Sequence, residues 1–168
     1  MSENKGKQFE TIIHKSFESV TNTSVVRLHD QTTGYLGSSN HCDFIVYHKP
    51  YEYHIECKSI HGNTLSIHGT DEKHKYGNIT NKQYEGLLEK SKIPGIISGI
   101  ICWYIDKDVT LFIPINTIKI WKEQTTMKSI PSNIYEKDLD VILLKGKKKR
   151  VFWEYDMKDF FNKTFDIK

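Results

Sequence analysis

Asp43 is followed thirteen residues later by Glu56 and, two further on, by Lys58. They fall in two short runs rich in aromatic and β-branched residues, 43–47 and 52–58, separated by His48-Lys49-Pro50-Tyr51. Such runs flanking a turn predict a β-hairpin. A turn centred between Lys49 and Pro50 puts Asp43 directly opposite Glu56, and opposed residues share a face with Cβ atoms roughly 4.5–5.5 Å apart. Side chains alternate along a strand, so Lys58 projects from that same face. Two opposed carboxylates repel each other, and their apposition makes sense mainly with a divalent cation between them. Hard oxygen donors suit Mg²⁺ or Mn²⁺. A carboxylate pair, such a cation and a neighbouring ammonium meet the needs of phosphodiester hydrolysis. The metal lowers the pKa of a bound water and neutralises charge on the leaving oxygen. Lys58 orients or helps deprotonate that water, or stabilises charge developing on the phosphoryl oxygens. The other reading of the pattern is an exposed strand face with a cross-strand ion pair, because a D…ExK spacing also arises by chance.

The elements that must hold these side chains are readable along the chain. Phe9, Ile12, Ile13, Phe17 and Val20 recur at spacings of three and four and predict a first helix over 4–20. A β-branched run, 24–29, reads as a strand, and 30–41 as a Gly- and Ser-containing loop. Residues 59–78 contain Gly62, Gly69 and Gly77 and are expected to form a long exposed loop of functional kind. Thr80-Asn81-Lys82-Gln83 fits a capping box opening a helix through about Ser91. Apolar runs at 95–105 and 109–113 read as central strands, with a short helical turn over 116–121. A strand at 151–155 and an amphipathic helix over 156–165 end the chain. Helices flanking a mixed sheet, an α/β architecture, is the expected result.

The chain has 168 residues, which suits one domain, 1–168. A formal charge of +3 is too small to identify a nucleic-acid partner. The hydrophobic share of 38% and charged share of 27% exclude fibrous and disordered classes. Its basic residues are lysines apart from Arg27 and Arg150, and it contains no alanine, a bias that resembles an AT-rich coding sequence. The longest apolar stretch, 93–105, is broken by Pro94, Gly95, Ser98 and Gly99 and is shorter than the ~20 residues of a membrane span. No apolar core follows the charged N-terminus, so no secretory signal is expected. Together these predict a cytoplasmic protein without a membrane partner. Cys42, Cys57 and Cys102 form no CxxC pair, which fits a reducing compartment and argues against a structural zinc site. Cys42 and Cys57 are expected on the buried face of the hairpin, opposite the carboxylates.

Asp43 with Glu56-Cys57-Lys58 resembles the PD-(D/E)xK nuclease motif, Cys42 standing where that family usually has Pro. Gly6-Lys7-Gln8-Phe9-Glu10 resembles the helical motif in which a Gly precedes a Glu that reaches toward the metal. Gln83-Tyr84-Glu85-Gly86-Leu87 resembles the QxxxL helix that follows the ExK strand. Taken in order with Ser38-Ser39-Asn40-His41-Cys42-Asp43 and the 95–101 strand, these motifs resemble the RecU type of Holliday-junction resolvase. The resemblance implies a restriction-endonuclease-like fold, a homodimer, and Mg²⁺-dependent paired nicking of four-way DNA junctions in phage or bacterial recombination and repair. RecU-like proteins carry a long stalk before the motif Asp, and only 22–41 is available here, so any stalk is short or absent. A restriction- or repair-type nuclease of the same fold, and a non-catalytic DNA-binding module, are the competing readings.

On this resemblance Asp43, Glu56 and Glu10 hold metal, Lys58 acts on water, and Gln83 completes the site. Glu10 also fits a first-turn acid favoured by the helix dipole, and Gln83 also fits the capping box. Ser38 and Ser39, on the loop before Asp43, are candidates for phosphate contact. Lys145, Lys147, Lys148, Lys149 and Arg150 place five positive charges in six residues, and with Lys73 and Lys75 of the 59–78 loop they form the expected DNA surface. His41, His48, His54, His61, His68 and His74 lack the spacing of a tetrahedral metal site. Trp103, Trp121 and Trp153 lie in apolar contexts that read as core.

Overall fold

The structure is a computed structural model that describes residues 4–29, 40–67 and 77–167. Helix α1 (Lys5–Glu18) starts where Asn4 Oδ1 accepts from Gly6 N at 3.1 Å, and its apolar stripe buries Phe9, Ile13 and Phe17. Strand β1 (Thr23–Arg27) then pairs antiparallel with β2 (Phe44–His48), and β2 with β3 (Tyr51–Ile60). The β2–β3 register runs from His48 opposite Tyr51 to Phe44 opposite Ile55, which is the register expected from a turn at Lys49-Pro50. The ladder ends there, and Asp43 N donates to Ile55 O at 3.0 Å, out of that register.

Helix α2 (Asn81–Ser91) carries the chain over to β5 (Ile96–Tyr104), which lies parallel to β3 with Glu56 beside Ile100. A parallel neighbour requires such a crossover. Strand β6 (Val109–Pro114) returns antiparallel to β5, and β8 (Ile142–Leu143) closes the sheet in the order β1-β2-β3-β5-β6-β8. One apolar layer lies under α1 and α4 (Met157–Thr164), built on Phe17, Phe44, Tyr53, Ile55, Phe112 and Phe160. The other lies under α2 and α3 (Ile115–Gln124), built on Leu87, Ile100, Cys102, Leu111 and Ile118. The mixed sheet flanked by helices is the architecture expected from the sequence. Among the described residues no helix is long and apolar enough to cross a membrane.

Three expectations change. The 59–78 segment holds strand β4 (Thr64–Ser66), paired with β7 (Ser129–Pro131), and an Ile67–Ile79 bridge. Leu65, Ile67 and Ile79 are buried there, so part of the expected exposed loop is core. Residues 68–76, with Lys73 and Lys75, lie outside the described residues, as do 30–39 with Ser38, Ser39 and half of the 22–41 segment, where any stalk was expected to be short or absent. The short turn at 116–121 is a full helix, and the basic run is itself strand β9 (Gly146–Lys148), paired with β10 (Trp153–Tyr155). Trp103 and Trp121 are core, as expected, and Trp153 is half-buried beside Asp108.

At β5 the sheet packs tightly around Gly99, against its neighbour β6. A Cβ there would stand 2.5 Å from the Ile113 carbonyl oxygen and 2.7–2.8 Å from two ring carbons of Phe112. Gly99→Ala should therefore destabilise the protein by about 1–3 kcal/mol, read as a lower midpoint in urea unfolding. A midpoint equal to the wild type's would contradict this packing.

Candidate active site

Glu56 sits in the middle of β3 and is 4% exposed. Its Oε1 accepts from Lys58 Nζ at 2.8 Å and from Gln83 Nε2 at 2.5 Å. Strand alternation supplies the first donor, because Lys58 follows two residues later on the same face. The second comes from the first turn of α2. Thr80 Oγ1 accepts from Gln83 N at 3.2 Å, while Gln83 Oε1 accepts from Thr80 N at 3.1 Å, completing the capping box. One amide thus caps the helix through its oxygen and holds Glu56 through its nitrogen.

Asp43 stands at the entry to β2. Its N donates to Ile55 O at 3.0 Å, its carbonyl accepts from Leu28 N at 2.8 Å, and its Oδ2 accepts from Cys57 N at 2.7 Å. The carboxylate is therefore tied to β3 one residue beyond Glu56. Burial raises the Glu56 carboxyl to about 7, with Asp43 adding to the rise, Lys58 opposing it and Glu10 contributing a smaller push upward. Asp43, Glu56 and Glu10 are thus three carboxyls in one field, with Lys58 as the close cation.

Glu10 lies in the second turn of α1 rather than the first, which removes the helix-dipole reading. Its Oε2 accepts from Arg27 Nη2 at 2.5 Å, with both side chains half-buried. Arg27 is a neighbour of Glu10 that the sequence did not single out. The available signal was its rarity, as one of two arginines in a lysine-rich chain.

The cysteines divide differently from expectation. Cys57 packs in the layer under α1, whereas Cys42 packs in the layer under α2 with its Sγ 4.0 Å from His54 Nδ1. Alternation fails because the chain leaves the hairpin ladder at Asp43, so Cys42 turns back to the carboxylate side. Burial, with Glu56 and Asp43, pushes the Cys42 thiol up to about 12, and burial drives Cys57 up as well. Neither is an activated nucleophile.

Of the basic cluster, Lys145, Lys147, Lys148, Lys149 and Arg150 are all exposed. Lys148 Nζ bonds Asp108 Oδ2 at 2.5 Å and Lys149 Nζ bonds Glu154 Oε2 at 2.8 Å, so two of the five charges are locally paired. Asp108 precedes β6, whose first residue pairs with Tyr104, itself beside Ile60 of β3. From Lys58 this is two or three residues along and two strands across, about 12–14 Å.

A raised carboxyl pKa has a definite sign for stability. Glu56 ionises at about 7 in the folded protein and at the ordinary 4.5 when unfolded. Its protonated form favours the fold below about pH 4.5, and that contribution is lost as pH rises to about 7. In metal-free protein, the stability of Glu56→Gln relative to wild type should therefore increase over pH 4.5–7 by up to roughly 3 kcal/mol. Urea unfolding in chelator at several pH values measures this, and a difference independent of pH would show that Glu56 is not perturbed.

No family model matches this chain, and no curated protein matches it in sequence. Among solved structures, it is similar to Hjc of Archaeoglobus fulgidus, a Holliday junction resolvase from an archaeal hyperthermophile. The TM-score is 0.52 at 15% identity, covering 79% of this chain and 88% of the other. The mixed sheet with its flanking helices is thus a restriction-endonuclease-like fold of the kind found in a junction resolvase.

Proposed function

We propose that this protein is a divalent-metal-dependent endonuclease that resolves four-way DNA junctions as a homodimer. One observation carries the reading. Glu56, buried and raised to about 7, is coupled to Asp43 and touches Lys58 within a fold shared with a Holliday junction resolvase. Fold alone does not choose a substrate, so the site must carry the chemistry.

Asp43 and Glu56 are the donors suited to Mg²⁺, with Mn²⁺ as substitute, and Glu10 adds a third negative charge nearby. A buried carboxyl held this far above its ordinary range is an incompletely compensated charge site, which fits a hard cation. When bound, that cation supplies an acidified water and charge neutralisation at the leaving oxygen. Glu56 must be ionised to serve, so the local protonation equilibrium favours work at neutral pH and above. Lys58 faces the same carboxylate and is placed to orient a water or stabilise phosphoryl charge. Gln83 fixes the Glu56 carboxylate from α2. Arg27 restrains Glu10.

Two symmetric cuts across a junction call for two sites related by a two-fold axis, which a homodimer supplies. The motif order resembling the RecU type supports the same substrate. For DNA contact, Lys145, Lys147 and Arg150 are the better candidates, because Lys148 and Lys149 are held by Asp108 and Glu154.

With Mg²⁺ and a labelled four-way junction, a linear duplex and a flap, paired nicks confined to the junction are expected. Asp43→Asn and Lys58→Ala should each slow cutting by at least about 100-fold with junction binding retained. Equal cutting of linear duplex would favour a restriction-type activity, and no cutting of any substrate with Mg²⁺ or Mn²⁺ would sink the enzyme reading. Replacing Lys145, Lys147 and Arg150 with Gln should flatten the salt dependence of junction binding by about 0.9 for each phosphate no longer neutralised. An unchanged slope would move the DNA surface elsewhere.

A further inference from the structure

Three ligand-type side chains converge beside the carboxylate site, where the chain enters β2. His54 is 3% exposed on β3, and a buried imidazole needs partners for both ring nitrogens. Its Nε2 lies 2.8 Å from Glu52 Oε1, and its Nδ1 lies 2.7 Å from His41 Nε2, with the two rings stacked at 5.0 Å. Cys42 Sγ is 4.0 Å from the same Nδ1. The donor atoms of His41, Cys42 and His54 all lie within 4.8 Å of one another, and among the described residues this is the group of His, Cys, Asp and Glu donors so gathered. Helix α2 seats His41, since a Cβ on Gly86 would collide with the His41 Cβ.

We propose that His41, Cys42 and His54 form a site for a borderline-soft transition-metal ion, represented by Zn²⁺, with a fourth position taken by water. Two imidazoles and a thiolate are the donor set that such ions prefer over the hard cations of carboxylate sites. Glu52 accepts from His54 Nε2 and so orients Nδ1 as a ligand, the outer-shell carboxylate usual for metal-bound histidine. At Zn–N about 2.0–2.1 Å and Zn–S about 2.3 Å, tetrahedral angles separate two nitrogens by about 3.3 Å and a nitrogen from sulfur by about 3.6 Å. The two ring nitrogens must therefore part by roughly half an ångström and the sulfur close on His54 Nδ1 by a similar amount. On binding, the His41 Nε2 proton that bonds His54 Nδ1 is exchanged through solvent for one on His41 Nδ1, the Cys42 S–H bond breaks with its proton going to solvent, and sulfur donates the freed pair to the metal. No electron is transferred.

Such an ion cross-links the 41–42 segment to β3. Asp43 follows Cys42 directly, and Glu56 lies two residues beyond His54, about 6.6 Å along the strand. The metal thus braces the backbone that presents the carboxylate pair. The site stands whether or not the protein cuts DNA.

The experiment uses the full chain stripped with chelator and titrated with Co²⁺, a spectroscopic stand-in for Zn²⁺. One equivalent should produce a near-ultraviolet thiolate-to-cobalt charge-transfer band that Zn²⁺ abolishes. Cys42→Ser should lose the band, while Cys57→Ser, Cys102→Ser and Asp43→Asn keep it. Glu52→Gln, altering a half-exposed side chain, should leave metal-free melting unchanged and weaken Co²⁺ affinity by about 10–100-fold. No band at one equivalent, or a band that survives in Cys42→Ser, overturns the proposal. Loss of the band in Asp43→Asn overturns it as a site separate from the carboxylates.

Discussion

A carboxylate buried on an inner strand sets the terms for the structure around it. Removing an ionised carboxyl from water costs several kcal/mol unless donors and opposite charge surround it. Glu56 meets that demand with Lys58 from its own strand and Gln83 from α2. The second partner follows from topology. Because β3 and β5 are parallel, a crossover must join them, and α2 is that crossover. Its N-terminus begins with a Thr80 cap whose reciprocal partner is Gln83, so the residue that starts the helix also reaches Glu56. Sheet order, helix capping and the charge state of one side chain are thereby a single arrangement. The compensation is incomplete, since burial and Asp43 still hold Glu56 at about 7.

How much of this was legible follows from which interactions are local. The β2–β3 hairpin was readable because a short turn and period-two alternation determine register without reference to the rest of the chain. The capping box was readable because its two residues lie three apart. The same locality explains the failures. Alternation assigned Cys42 to the face of Cys57, but the ladder ends at Asp43, and packing against His54 and α2 decides the side of Cys42. Strand β4 is three residues long and pairs with a β7 more than sixty residues later, a pairing with no trace in a local window. His41 and His54 showed no metal-ligand spacing because sequence spacing registers only neighbours on one element, whereas these two meet through the departure from the ladder and the gap left by Gly86.

The near-balanced net charge resolves into placed opposites. Glu10, Asp43 and Glu56 gather on one side, and one of the chain's two arginines is spent restraining Glu10. The basic strand β9 looked like one uniform surface in sequence, yet cross-strand and turn acids take up Lys148 and Lys149. Exposed pairs of this kind contribute little to stability. Their consequence is for binding, because a lysine already holding an acid offers less to a phosphate than one that faces solvent.

Strand β3 itself orders the donors by chemistry. Its odd positions, Tyr53, Ile55 and Cys57, enter the apolar layer under α1, while Glu52, His54, Glu56 and Lys58 line the other face in sequence. That line alternates carboxylate, imidazole, carboxylate and ammonium at about 6.6 Å steps. The 42–43 segment lies against it with a thiol and then a carboxylate, so Cys42 meets His54 and Asp43 meets the Glu56 region. Soft donors are thus paired with soft and hard with hard, two residues apart on one strand. Cations of different hardness sort between such positions by ligand type rather than by charge. Because both positions share the same two backbone segments, any ion that tightens one of them stiffens the other, and the restraint acts on the bond from Cys57 N to the Asp43 carboxylate that joins them.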